Sequence, residues 1–538
     1  MELLVSTAAV RKTDAAHQRR NLASSVGKST LFGVLSRVTQ VGTRFVTVPI
    51  VIFYLGLGGY GIWNIIMTTA AYMRFGSAGI KSAFQKYVAE ATGNGDYETA
   101  NKLLSTGCAG IFVVSVVGLV PVALLSRQLA RLAGVPESFL RSAAGAISML
   151  AVIMMVANWG AVYEAIAMGG HRIDLVRKLN AALTVAEAIA IVAALHLGYG
   201  LFVMATVMAA SEILYIACCF LISRHVLPQI EVKVDYITKS VVKELIRFAG
   251  SYQLVGLLEV LYAAILPVAI LRSFGDNAAG VYALATRAVN PAMMLQESFL
   301  QPILSGGTMV YASGSTDWMR RLLTKSFKVT LLITLPPLAF VGVFGSTMIL
   351  AWTGQSDPLF PGALCLVSIA VLFQAFCRLQ LIMYRVSGRA LLDNLRQVLG
   401  ILTLLGVTVF ARKLGFYGVL SGLALSELIG MLFMFLAMEH TYHSFEAKAL
   451  IPDTLKITLA TVAIIGAGAI ALRMPLPSFT WESERIVAFL RLGVVAAACL
   501  VITWPALILT RSITKDEGLA MLQAIVPNRW RIDPLARS

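Results

Sequence analysis

Eleven ionisable side chains interrupt stretches of the sequence that are otherwise apolar enough to cross a membrane. A charged group in the middle of such a stretch costs roughly 2.5 to 3.5 kcal/mol on insertion scales, so it usually faces a bundle interior or a wet cavity. There it can bind an ion, a charged substrate or another buried charge. The five bases and six acids are Arg37, Arg44, Arg74, Arg287 and Arg378, and Glu164, Glu187, Glu212, Glu259, Glu297 and Glu427.

The basic members suggest phosphate chemistry. A guanidinium group binds a phosphate through two parallel hydrogen bonds, which lysine cannot reproduce. In the first apolar stretch, polar and small residues recur every three or four positions and so share one helical face. We predict a cationic, substrate-binding wall that contains Arg37, Gln40, Arg44, Arg74 and Arg287. The alternative is that these arginines only neutralise the intramembrane glutamates.

The acidic members suggest ion coupling. Four carboxyl groups lie near the middle of their stretches, where one of them could exchange a proton or a cation during transport. We predict this role for at least one of Glu187, Glu212, Glu259 and Glu427, with Glu259 as the first choice, and H⁺ or Na⁺ as the ion. The three remaining ionisable groups lie toward the ends of their apolar stretches, namely Arg378, Glu164 and Glu297. They are expected to pair with one another or to reach the membrane surface.

Other sites for chemistry are not predicted. The segment SVGKST at 25–30 lacks the first glycine of a phosphate-binding loop and follows no strand. The histidines of EHTYHSFE at 439–446 are expected in a solvated loop, so no metal site is predicted, and no cofactor is predicted either. Any uphill work must then draw on an ion or substrate gradient.

Composition shows which elements must hold these residues. The chain has 538 residues, of which 58% are hydrophobic and 13% charged, with a mean hydropathy of +0.79. A water-soluble core could not hide this much apolar surface. We predict an all-α polytopic membrane protein with about fourteen spans of roughly 20 residues each. They are 30–55, 59–80, 103–126, 140–168, 175–197, 199–223, 246–274, 278–304, 328–351, 361–384, 394–412, 416–438, 457–473 and 487–510.

The distribution of basic residues predicts the orientation. If the N-terminus is cytoplasmic, inward segments carry 30 of the 44 Lys and Arg residues, outward loops carry 9 and spans carry 5. This asymmetry is the one expected for a cytoplasmic membrane protein with both termini inside. The net charge of +16 is then mainly an orientation signal that faces anionic lipid, and nucleic-acid binding is not expected.

A weak internal repeat predicts two lobes. A shift of 219 residues places Gly56 on Gly275 and Gly61-Ile62-Trp63 on Gly280-Val281-Tyr282. Six spans per half make a parallel repeat, whose substrate site is expected between the halves near mid-membrane. A ladder of small residues, Gly418, Gly422, Ser426 and Gly430, is expected to let the twelfth span pack closely. The predicted segments are 1–29 (cytoplasmic), 30–223 (N-lobe), 224–245 (linker), 246–438 (C-lobe), 439–510 (loop and extra helix pair) and 511–538 (cytoplasmic tail).

Several segments resemble a known family. They are LGLGGYGIWN, the following GSAGIKSAFQKYVAEATGNGDYETANKLLSTG, and SFGDNAAGVYALATRAV in the second half. They are similar to the polysaccharide-transporter and Wzx-type flippase branch of the multidrug/oligosaccharidyl-lipid/polysaccharide (MOP) exporter superfamily. The resemblance implies two six-helix lobes around a central cavity, often with an extra helix pair. In related lipid II flippases, cavity arginines of the first, second and eighth spans are important, which implies roles for Arg37 and Arg74, and less directly for Arg44 and Arg287.

The resemblance also implies the function. We expect a flippase that moves lipid-pyrophosphate-linked oligosaccharide from the cytoplasmic to the outer leaflet by alternating access, with polysaccharide polymerase and glycosyltransferases as candidate partners. The alternatives are a cation-coupled multidrug exporter, which would present an acidic, aromatic cavity, and a non-transporting scaffold for glycan assembly. Enzyme activity is not expected, because the outward loops are short.

Overall fold

A computed structural model gives the architecture of the chain. Residues 1–35 and 511–538 and several shorter internal segments fall outside the description, and with them Arg37, Arg74 and His443. The residues that the structure describes are 36, 38–70, 73, 84–85, 87–88, 90–92, 94–170, 172–312, 316–386, 391–442, 447–474 and 484–510.

The regular elements of these residues are helices. We label the α-helices α1 (Val38–Ala70), α2 (Tyr97–Leu124), α3 (Ser126–Ala133), α4 (Glu137–Gly169), α5 (Ile173–His196), α6 (Leu201–Val226), α7 (Lys239–Ala312), α8 (Thr316–Thr353), α9 (Phe360–Val386), α10 (Leu391–Ala411), α11 (Gly415–Tyr442), α12 (Ala447–Leu472) and α13 (Glu484–Leu509). Short 3-10 helices occur at Val234–Tyr236 and Arg412–Leu414.

The helices have the length and surface of membrane spans. Eleven helices of the described residues are long and apolar enough to cross a bilayer, namely α1, α2, α4 to α6 and α8 to α13. Large apolar side chains point away from the protein, among them Phe53, Val117, Phe410 and Leu500. Such a surface suits lipid and not water. The prediction of an all-α polytopic membrane protein is confirmed, and most span bounds agree within a few residues.

Glycines divide α1 and α7 where we predicted boundaries between spans. A straight helix of 33 residues would be about 50 Å long, whereas the hydrocarbon core is about 30 Å thick. Gly56 in α1 has φ of 71° and Gly275 in α7 has φ of 87°, a left-handed conformation that favours glycine. Each of these glycines therefore lies at a boundary between two predicted spans. The shared conformation supports the alignment of Gly56 with Gly275 in the internal repeat.

The segment of α1 that follows Gly56 packs tightly against the segment of α7 that follows Gly275. A Cβ atom on Gly61 would lie 2.5 Å from the backbone nitrogen of Gly280, and one on Gly280 would lie 2.2 Å from the carbonyl oxygen of Leu57. No side chain fits at either position, because the opposing atoms belong to the backbone. Gly61 and Gly280, which also share a position in the repeat, therefore allow the backbones of α1 and α7 to touch.

The chain divides into two compact units, residues Met1–Gly280 and Val281–Ser538. In the first unit α4 packs against α6 and α2. In the second unit α9 packs against α8 and α11, and the last two helices, α12 and α13, pack on α8. Phe344 of α8 lies in an apolar cluster with residues of both terminal helices. The lobe boundary that we placed at 224–245 stays a prediction.

Polar residues at the start of α2 hold the segment that follows α6. Asp96 caps α2 by accepting a hydrogen bond from the backbone N–H of Thr99 at 3.2 Å. Hydrogen bonds from the side chain and from the backbone N–H of Thr99 lower the pKa of the Asp96 carboxyl. One turn later, buried Asn101, Ser105 and Thr106 bond to the linker. Their partners are the Gln229 carbonyl and the backbone N–H groups of Glu231, Lys233 and Thr238. The predicted linker is thus fixed along α2 up to Thr238.

Candidate substrate site and coupling residues

Two polar contacts join α1 to α5 within the first unit. Gln40 Nε2 donates to Asn180 Oδ1 at 2.6 Å, and the Tyr54 hydroxyl lies 3.0 Å from His196 Nδ1. The second contact lies 14 residues further along α1 and 16 residues further along α5, so the two helices run in the same direction. The polar face that we predicted on the first span therefore meets α5 at Gln40.

The predicted arginine of this face lies between the two contacts. Arg44 follows Gln40 by four residues, and its side chain is exposed, whereas Gln40 and Thr47 are half-buried. Thr47 donates its hydroxyl to the Thr43 carbonyl at 2.7 Å, which satisfies it inside the helix. Arg44 is the charged residue on the described part of this face. The other two arginines predicted in the first unit, Arg37 and Arg74, lie outside the described residues.

The remaining predicted site residues are distributed over both units. Glu187 on α5, Glu212 on α6 and Glu259 on α7 are half-buried residues of the first unit. Arg287, on the later part of α7, is half-buried and belongs to the second unit. Glu427 on α11 is also in the second unit and is only 2% exposed. The four candidate coupling carboxyls therefore lie on four different helices, three in the first unit and one in the second.

Glu427 lies in a buried polar network that joins three helices of the second unit. Its Oε1 accepts a hydrogen bond from Gln374 Nε2 at 3.2 Å, and its Oε2 lies 4.0 Å from the Arg396 guanidinium, which is 14% exposed. The Cys377 thiol approaches the Glu427 carbonyl at 3.7 Å. A carboxylate that is removed from solvent needs such partners, because an uncompensated buried charge is costly.

The small-residue ladder explains how Arg396 reaches Glu427. A Cβ atom on Gly422 would lie 2.8 Å from the Val407 side chain, and Gly430 lies beside the stem of Arg396. Ser426 donates its hydroxyl to the Gly400 carbonyl at 3.0 Å. The ladder of α11 therefore packs on α10, which confirms the predicted close packing and brings the guanidinium to the carboxylate.

Two members of this network were missing from our prediction. We counted Arg396 with the preceding loop, although it lies three residues inside the predicted span 394–412. Gln374 lies in the middle of the predicted span 361–384, and amides were not considered among the spans after the first. The signal that could have found both is the presence of a strongly polar side chain inside an apolar span, which requires a partner whatever its charge.

Arg378 and Glu297 form an ion pair between α9 and α7 in the second unit. Both side chains are more than one third exposed. The pair agrees with one of the two expectations for these groups, that they pair with one another or reach the membrane surface. Glu164 on α4 is buried and interacts with Tyr215 of α6, so it too has a partner within its own unit.

A metal centre is not formed by the described residues, because no group of three or more His, Cys, Asp and Glu side chains comes together there. The arrangement instead offers an arginine on a polar helix face and separate half-buried carboxyl groups. Such groups can bind an anionic ligand and exchange charge during a conformational change.

Solved structures with a similar fold include one described as a flippase and one described as a transporter of the MOP superfamily. A structure entitled lipid II flippase MurJ, in an inward closed conformation, matches with a TM-score of 0.65 at 13% identity, over 90% of this chain and 98% of that one. An inward-facing multidrug resistance MATE family transporter of the MOP superfamily matches with a TM-score of 0.60 at 14% identity, over 77% of this chain and 95% of that one. At these identities the likeness is one of fold, which this chain shares with both proteins.

The sequence itself gives the family. Residues 26–306, more than half of the 538-residue chain, match the family described as "Polysaccharide biosynthesis protein". The chain belongs to the polysaccharide biosynthesis protein family. A comparison with curated proteins finds no significant match. The resemblance noted in the sequence is therefore confirmed, and the protein is a multi-pass membrane protein of the polysaccharide biosynthesis protein family.

Proposed function

We propose that the protein is a flippase that moves a lipid-pyrophosphate-linked oligosaccharide from the cytoplasmic to the outer leaflet by alternating access. The observation that carries the proposal is the Arg44 guanidinium, which is exposed on a polar face of α1 between two polar contacts with α5. A pyrophosphate linkage is an anion that this fork binds through paired hydrogen bonds. Membership in the polysaccharide biosynthesis family supports a glycan as the cargo.

The other predicted ligands complete the proposal. Arg37 and Arg74 are proposed to add positive charge to the phosphate site of the first unit. Gln40, which shares the helical face of Arg44, is proposed as a further ligand of that site. Arg287 is proposed as a separate phosphate ligand in the second unit. Glu187, Glu212, Glu259 and Glu427 are the proposed candidates for coupling to H⁺ or Na⁺, and loss of the ion dependence of transport in one of their Gln variants would identify the residue.

A charge-preserving substitution tests the phosphate proposal. In proteoliposomes loaded with a lipid-pyrophosphate oligosaccharide, Arg44→Lys should reduce flipping by about ten-fold or more, because a charge-assisted bidentate pair is worth more than 1.4 kcal/mol over a single contact. Arg378→Lys is the matched control, because that arginine forms an ion pair with Glu297 in the second unit and is not among the proposed phosphate ligands. It should keep nearly normal flipping.

The contrary results would favour the alternatives. Normal flipping by Arg44→Lys would mean that charge alone matters and would refute the phosphate clamp. Transport of cationic drugs instead of the lipid-linked glycan would favour a multidrug exporter, which is the description of one structural neighbour. No transport of either substrate, with intact binding of glycan-assembly enzymes, would favour a scaffold.

A further inference from the structure

The two contacts between α1 and α5 fix which residues of these helices lie at the same height. The two helices run in the same direction, so heights along both can be counted from the Gln40–Asn180 contact. Arg44 is four residues further along α1, about 6 Å, and Glu187 is seven residues further along α5, about 10.5 Å. Their heights therefore differ by about 4.5 Å, which is less than one helical turn.

Both residues also lie on the sides of the helices that make this contact. Positions separated by four and by seven residues fall on one helical face, so Arg44 shares the face of Gln40 and Glu187 shares the face of Asn180. The burial pattern agrees, because Val51 on the same face of α1 and Ile191 on the same face of α5 are both buried. The flexible side chain of an arginine can span the remaining distance.

The charges of the two helices are complementary. Arg44 is the sole charged residue in the sequence of α1, Val38–Ala70. On α5 the other charged residues lie at the start, in Asp174, Arg177 and Lys178, and Glu187 is the sole carboxyl residue beyond them. Two opposite charges at one height on facing sides of neighbouring helices would each be costly in an apolar surrounding without the other.

We propose that Arg44 and Glu187 form an ion pair between α1 and α5 in the empty protein, and that the pyrophosphate of the substrate competes with the Glu187 carboxylate for the Arg44 guanidinium. The competition rests on the proposed function, whereas the ion pair does not. A guanidinium binds a carboxylate and a phosphate with the same two-pronged geometry, so the two anions are mutually exclusive ligands of one fork. Glu187 thereby sets the affinity for the substrate.

The ion pair is tested without any substrate. Thermal unfolding of purified protein in detergent should show that Arg44→Gln and Glu187→Gln each lower the melting temperature, and that the double variant loses much less than the sum of the two shifts. The charge-swapped double variant, Arg44→Glu with Glu187→Arg, should melt above either charge-reversed single variant. The control cycle pairs Arg44→Gln with Glu137→Gln, at the exposed start of α4, and should be additive. Additive shifts for Arg44 and Glu187 together with no rescue by the swap would overturn the pair.

The competition is tested by binding. Undecaprenyl pyrophosphate in detergent micelles should bind Glu187→Gln about five-fold more tightly than wild type, a gain of about 1 kcal/mol. Glu137→Gln, at the exposed start of α4, should bind like wild type. Equal affinity of wild type and Glu187→Gln would overturn the competition. If wild type does not bind this lipid at all, the proposed function fails, and the unfolding cycle still decides whether the ion pair exists.

Discussion

Replacement of Glu427 by glutamine should destabilise the second unit strongly. The carboxylate is 2% exposed, receives a hydrogen bond from Gln374 and lies 4.0 Å from the guanidinium of Arg396, which is itself 14% exposed. Glutamine has the same shape and can keep the bond to Gln374. The main change is therefore that Arg396 loses its negative partner while it stays largely removed from solvent.

The expected size follows from the distance. Two unit charges 4 Å apart attract by about 4 kcal/mol at an effective dielectric constant of 20, and removal of one partner of a buried pair costs about 3 to 5 kcal/mol. Arg396→Gln should cost a similar amount, because it leaves the carboxylate uncompensated. The apolar double variant, Arg396→Met with Glu427→Leu, should be more stable than either single variant, because no buried charge remains.

Unfolding of purified protein in detergent, followed with temperature, measures these differences. Glu439→Gln is the matched control, because Glu439 is exposed near the end of the same helix and its loss should change stability by less than about 0.5 kcal/mol. If Glu427→Gln unfolds at the wild-type temperature, Arg396 does not depend on this carboxylate. Unchanged stability combined with altered H⁺ or Na⁺ dependence would instead favour a coupling role for Glu427.

Three further predictions concern packing, the linker and orientation. Gly61→Ala should destabilise the first unit by roughly 1 to 3 kcal/mol, because the added Cβ would meet a backbone atom of α7 at 2.5 Å. Gly110→Ala should not destabilise it, because a Cβ there would meet no atom within 4 Å, and thermal unfolding measures both variants. Asn101→Ala should speed proteolysis and amide exchange of residues 229–238, because it removes two bonds to this segment, and unchanged exchange would contradict the clamp. In a cysteine-free background, single cysteines at 234 and 443 should react with a thiol label only after the inner face is exposed, and one at 356 should react from outside. Labelling of a cysteine at 234 in intact cells would reverse the predicted orientation.

The spans could be predicted from the sequence because each depends on a local property, the length of an apolar run. The predicted span 175–197 became α5, Ile173–His196, and 416–438 lies within α11. The glycine turns were also visible, since Gly56 and Gly275 share a position in the repeat and both adopt positive φ. The short helix α3, Ser126–Ala133, was not predicted, because its eight residues are too few for a clear period.

The partners of the charged residues could not be predicted in the same way. A sequence shows that Arg396 and Glu427 lie in neighbouring spans, but their contact depends on how closely α10 and α11 approach and on the register between them. The small-residue ladder indicated the close approach and not the register. Arg378 and Glu297 pair across 81 positions of the chain, a separation that no local pattern encodes.

The same distinction bears on the candidate site. Charge type and helical periodicity selected Arg44 and Gln40, but the contacts of Gln40 with Asn180 and of Tyr54 with His196 are needed to identify α5 as the neighbour of α1. Once that neighbour is known, the two hypotheses that the sequence left open no longer exclude each other. An arginine can neutralise a glutamate in the empty protein and bind phosphate in the loaded one, because the two anions use the same fork at different stages of the cycle. A transporter benefits from this arrangement, since a charge that is compensated in both states does not add an electrostatic barrier to the return of the empty protein.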